Sequence, residues 1–194
     1  MKFIQTSSSI LIASLVSVGF VSLTWANLQP QKVNPVAQMN SKNLTNSPTI
    51  TVDEIQKINR EVEAIISQGD VEGILQYMAP FIISETITES TNGFESVYIE
   101  GIEQHRETLT NFFNEVEAEE NLDTQEISQK ETIRITPDGQ LATAVVSTIS
   151  EVTDDDEVRL ITTTDTIRFA RLQGQIKVIF YTTDSQIVSH DIPN

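Results

Sequence analysis

Two side chains in this sequence have types and settings suited to proton chemistry. Asp165 sits in 161-ITTTDTIRF-169, where Ile161, Thr163, Asp165, Ile167 and Phe169 share one face of a strand-like alternation. A carboxyl among apolar neighbours must be paired, wet or neutral, because burying it charged and alone costs too much. His105 lies between Ile102 and Leu109 on the apolar stripe of 101-GIEQHRETLTNFF-113. Brought within reach of each other, the carboxyl and the imidazole would make an acid–base pair. The plainer expectation leaves His105 partly exposed at the edge of its stripe. Tyr77 and Tyr98 are expected at the rim of a pocket, with Phe112 and Phe169 offering it apolar contact.

Other chemistries find little support. There is no cysteine, and His105 and His190 are the only histidines, so a zinc site is not expected. The run 154-DDDE-157 lacks the glycine and the spaced acidic ligands of a calcium loop and reads as a solvated hairpin tip. No glycine-rich phosphate loop and no G-x-S-x-G elbow occurs. The expected set of metals and cofactors is therefore empty. With 12 Lys and Arg against 28 Asp and Glu, the formal charge is −16. That balance disfavours nucleic acid and anionic lipid, both of which need clustered cations.

The elements that must position these residues occupy only part of the 194-residue chain. Lys2, the apolar run 10-ILIASLVSVGFVSL-23 and 24-TWA-26 have the layout of a secretory signal over residues 1–26. The run is shorter than the ~20 residues a membrane span needs. Thr24 is a weaker residue than Ala at its place before the cut, which leaves an uncleaved anchor as the alternative. Residues 27–49 are rich in Asn, Gln, Ser and Pro and read as a disordered linker. An exported chain without disulfides suits a periplasmic or extracellular setting in which the core alone holds the fold.

A folded domain is expected over 50–192. Thr51 and Glu54 make a capping box, after which Ile55, Ile58, Val62, Ile65 and Ile66 recur at helical spacing. Asp70 is placed to cap a short helix over 71-VEGILQYMA-79, stopped by Pro80. A strand-like segment, 81-FIISETITES-90, precedes a third helix after Gly101, with Leu109, Phe112, Phe113 and Val116 on its stripe. From Thr124 the period becomes that of strands, and the turns at 137-PDG-139 and Gln173–Gly174 predict an antiparallel meander. The sum is an α+β domain, three N-terminal helices packed on a curved, mainly antiparallel sheet.

That order, together with 69-GDVEGILQYMAP-80, the opening of the third helix and 165-DTIRF-169 followed by 174-GQIKVI-179, resembles the nuclear-transport-factor-2-like superfamily. This is the cone fold shared with ketosteroid isomerase and the SnoaL-like polyketide cyclases. The resemblance implies that Asp165 points into the cone's cavity, where the isomerase branch keeps such a carboxyl protonated as a donor to an oxyanion. It also implies a carboxylate base at Thr86 and a tyrosine at Val62, and neither is present; Glu85 is one register off. Ile179 and Tyr181 fall opposite the Ile176–Val178–Phe180 row, on an outer face through which the superfamily often forms homodimers. The expected function is binding of a small apolar ligand or a protein partner without catalysis. The alternative is a polyketide-cyclase or isomerase-type enzyme using Asp165 with His105 or Glu85.

Overall fold

The computed structural model describes residues 48–90, 93–116, 123–154 and 157–191. The signal segment, nearly all of the linker and the centre of the DDDE tip lie outside them. At the start of the described chain, the backbone N–H of Ile50 donates to the Gly139 carbonyl at 2.7 Å, and the Ile50 side chain is buried. Gly139 has φ +67°, and a Cβ there would stand 2.5 Å from Thr49, so the PDG turn needs glycine for its shape and for the chain crossing it.

Helix α1 (Val52–Ile66) begins at Thr51 because the capping box closes: Glu54 N–H donates to Thr51 Oγ1 at 3.3 Å and Thr51 N–H donates to Glu54 Oε2 at 3.0 Å. Arg171, at the far end of the chain, also donates to Glu54 Oε1 at 2.8 Å. That hydrogen bond is the chief reason the Glu54 carboxyl is held below the usual range. Helix α2 (Val71–Leu75) is capped by Asp70, whose Oδ1 accepts from Gly73 N–H at 2.9 Å. Helix α3 (Ile102–Val116) comes later, after a strand pair, so the helices do not all precede the sheet.

The sheet holds β1 (Met78–Ser90), β2 (Gly93–Glu100), β3 (Asp123–Ile135), β4 (Leu141–Asp154), β5 (Glu157–Leu172) and β6 (Gln175–Asp191). It is an open, mixed sheet of six strands in the order β2-β1-β6-β5-β4-β3, with β1 and β6 parallel. Strand β2 is a finding of the structure; its run GFESVYIE carries no clean alternation of apolar residues. Helix α1 lays Ile55, Val62 and Ile66 on the inner face. There Ile50, Ile55, Ala142, Ala144, Ile167 and Phe169 form one buried cluster, and Val62, Ile66 and Ile74 a second.

Register on that face is set by an irregularity in β6. Phe169 pairs with Val178, whereas Arg168 pairs with Phe180, so Ile179 is an extra residue between them. Because the side-chain period of a strand is two, one extra residue exchanges the faces beyond it. Val178 is inward before the bulge, and Tyr181, Thr183, Ser185 and Ile187 are inward after it. Phe180 turns outward, and the Arg168 guanidinium stands 5.1 Å from its ring centroid. The outer-face placement of Tyr181 expected from strict alternation is therefore wrong.

Candidate functional site

Between the helices and the inner sheet face lies a cavity of about 100 Å³. Its apolar wall comes from every layer: Ile58, Val62 and Ile66 of α1, Ile74 of α2, Leu109, Phe112 and Phe113 of α3, and Ile99, Ile167, Phe169 and Val178 of the sheet. Its polar lining is Asn59, Tyr77, Ser84, Thr86, His105, Thr108 and Tyr181. Two hydrogen-bonded groups meet in it.

The first group is built on α3. Gly101 takes φ +81°, which L residues with side chains rarely adopt, and so turns the chain from β2 into the helix. Its carbonyl lies one helical turn below His105 and 2.7 Å from Nδ1. A carbonyl can only accept, so Nδ1 carries the proton, and in the neutral ring Nε2 accepts from the Ser84 hydroxyl at 2.9 Å. Burial pushes the His105 pKa down against the opposing pull of the Gly101 carbonyl, which favours that neutral ring. His105 is only 6% exposed, so the expectation of a half-open edge position does not hold.

The second group is built on β5 and β6. Asp165 is 1% exposed, and its Oδ1 accepts from the Tyr181 hydroxyl at 2.8 Å. The Thr183 hydroxyl lies 2.7 Å from the same oxygen and 2.5 Å from the Tyr181 oxygen. Oδ2 has no hydrogen-bond partner among the described residues. Burial pushes the Asp165 pKa up to about 6, resisted by the Thr183 and Tyr181 hydrogen bonds. Burial and the nearby Asp165 charge hold the Tyr181 phenol well above its ordinary value, so it keeps its proton.

The two groups are neighbours on the sheet, since Ser84 of β1 pairs with Tyr181 of β6 and Thr86 with Thr183. His105 and Asp165 are not partners of each other; each is held in its own group, and the direct carboxyl–imidazole pair is not formed. Asp165 stands behind Tyr181 rather than in the cavity wall.

Of the remaining candidates, Phe112, Phe169 and Tyr77 line the cavity, and the Tyr77 hydroxyl donates to Glu61 Oε2 at 3.1 Å. Tyr98 does not line it. It pairs with Glu85 on the outward register of β1 and β2 and is 51% exposed, while its neighbour Ile99 faces in. Glu85 is likewise outward, its Oε1 accepting from Ser96 at 3.4 Å, and so cannot assist Asp165. Thr86 and Val62 both line the cavity and neither titrates.

Ser84 and Tyr181 are the residues that sequence reasoning missed. Ser84 lies two residues before Thr86 and so shares its face. The clue for Tyr181 is the run 179-IFY-181, three large side chains in succession where a half-buried strand should alternate.

No family model and no curated relative matches the sequence. Solved structures do match in backbone. The β subunit assigned to an aromatic-ring-hydroxylating dioxygenase of Novosphingobium aromaticivorans DSM 12444 aligns with a TM-score of 0.50 at 12% identity, over 70% of this chain and 89% of that one. An NTF2-like protein of unknown function from Pseudomonas putida KT2440 aligns at 0.49 and 14%, over 68% and 84%. A ketosteroid isomerase-like protein from Erwinia carotovora atroseptica SCRI1043 aligns at 0.41 and 10%, over 73% and 94%. At such identities the likeness is one of architecture alone, and that architecture is the NTF2-like cone fold.

Proposed function

We propose that this chain is an exported binding domain that holds a small apolar ligand in its cone and makes or breaks no bond. The observation that carries the reading is the cavity, walled by apolar side chains from three helices and the sheet. The polar atoms that meet there are engaged with each other: Ser84 Oγ with His105 Nε2, and the Tyr181 hydroxyl with Asp165 Oδ1. An acid–base site would need two titratable groups converging on one point of the cavity, and His105 and Asp165 are each occupied elsewhere.

Toluene tests this reading. A ligand that binds only the folded state raises the melting temperature in proportion to its saturation of the site. Near-saturating toluene should therefore raise it measurably, and Leu109→Trp, which fills the cavity from α3, should abolish the rise. A melting curve that neither toluene nor a ring of the same size carrying a hydroxyl or a carbonyl moves would sink the proposal.

Export rests on the apolar run between Lys2 and Ala26. The protein isolated from its own host should begin at Asn27 and be recovered outside the cytoplasm. N-terminal sequencing that finds Met1 on cytosolic material would remove this part of the reading.

A further inference from the structure

The cavity's hydrogen bonds have a direction, and that direction selects a ligand. Each hydroxyl has one proton to give and two lone pairs with which to accept. The Gly101 carbonyl can only accept, so His105 carries its proton on Nδ1 and turns the lone pair of Nε2 towards Ser84. Ser84 must then give its single proton to His105. What Ser84 can present to a guest in the cavity is lone pairs. Beside it on the neighbouring strand, Tyr181 gives its proton to Asp165 Oδ1. Neither hydroxyl at this end of the cavity has a proton left for a ligand.

Charge and size narrow the class further. Among the described residues no Lys, Arg, Asp or Glu lines the cavity. A guest carboxylate or phosphate would be buried without a counter-ion, which is strongly unfavourable. The volume, about 100 Å³, is of the same order as the roughly 150 Å³ of an apolar cavity known to hold benzene, so a body of about one ring is the size that suits it.

We propose that the ligand is an uncharged molecule with one apolar ring-sized body and one O–H or N–H group, whose proton is accepted by Ser84 Oγ. This rests on the binding function proposed above and adds the polarity of its one polar contact. A ketone or ether of the same shape would bring a lone pair against a lone pair. A methyl or ring C–H would offer the Ser84 lone pairs no proton. The Ser84 end of the cavity is thus proton-accepting, with His105 as the residue that fixes the hydroxyl's direction.

Cyclohexanol and cyclohexanone are nearly equal in size and differ in whether they can donate. Titrated calorimetrically into the full chain at pH 7, cyclohexanol should bind about tenfold more tightly than cyclohexanone, the scale of one well-made neutral hydrogen bond. Replacing His105 by Phe removes the acceptor of the Ser84 proton and frees that proton for the cavity. In His105→Phe the preference should therefore shrink or invert in favour of the ketone. A crystal structure with cyclohexanol should place its oxygen within hydrogen-bond distance of Ser84 Oγ.

Equal affinities for the pair in the native protein would overturn this inference while leaving apolar binding in place. A native preference for the ketone, or a bound alcohol seated on Thr86 or Thr108 instead of Ser84, would overturn it as well. If toluene, alcohol and ketone all fail to bind, the binding function itself falls with it. The comparison of alcohol with ketone needs only the native chain, so it stands even if His105→Phe does not fold.

Discussion

Asp165→Asn is expected to tilt the pH dependence of stability by about 2 kcal/mol between pH 4 and pH 8, taking the span from the ordinary carboxyl value of 3.8 to about 6. The folded state holds this proton more tightly than the unfolded chain does. The carboxyl's contribution to stability is therefore complete below pH 3.8 and is lost as the pH rises through about 6. Asparagine keeps an oxygen to accept from Tyr181 and Thr183 and never ionises. Urea midpoints of the two proteins should diverge with rising pH, the mutant gaining on the native chain towards pH 8. Glu63, only 6% exposed, is also pushed up to about 7 by burial and then by Glu131, so the native curve alone does not isolate Asp165. The difference between the two curves does. Parallel curves would mean that Asp165 titrates as it does in water, and the raised carboxyl would have to be given up.

The largest loss is expected from removing one residue rather than changing one. Deleting Ile179 takes out the bulge, and β6 must then put either its Val178 end or its Tyr181 end on the wrong face. With the second choice Phe180 enters the cavity, Tyr181 leaves it, and the Asp165 carboxyl is left buried without its tyrosine. Thr183, Ser185 and Ile187 would leave the inner face with it. The cost exceeds about 5 kcal/mol, beyond the range of ordinary point mutations, and the deletion should yield no folded monomer. Ile179→Ala keeps the residue count and should fold, losing about 1–3 kcal/mol for the missing side chain. Circular dichroism of the two variants decides. A deletion variant as cooperative as the alanine variant would show that β6 absorbs the shift and that the bulge does not set the register.

Much of the fold was readable because helical and strand periods are local properties. The capping box at Thr51, the Asp70 cap and the register of Ile161 to Phe169 depend on residues within a few places of each other. What could not be read depends on distant pairings. β2 becomes a strand because β1 offers it hydrogen bonds, and its own side chains do not announce it. Residue type alone points Tyr98 at the cavity, but one register step separates it from the inward Ile99. Strict alternation misplaces Tyr181, because at Ile179 the chain holds one residue more than its partner strand. In the candidate site, the inward side of Asp165 was legible and its partner was not. His105 is legible on its helix but its partner is not, since Ser84 lies on a strand whose position over α3 no sequence period encodes.

The strand order carries a consequence for how the chain is made. β1 and β2 form one local hairpin, and β3, β4 and β5 form one local meander, and among the described residues the sheet joins the two pieces only through β6. As the nascent protein leaves the ribosome, both pieces exist before anything joins them, each with a raw edge, β1 on one side and β5 on the other. Helix α1 waits as well, because Arg171, which grips its capping glutamate, lies in the last hairpin. The cavity closes only when the final strand arrives and pairs with a segment made almost one hundred residues earlier, as in Ile83 with Phe180. Such long-range closure is slow. Until it is complete the chain exposes two unpaired edges to its neighbours, and the interval between synthesis and the last strand's arrival is the time when a holding chaperone would matter most.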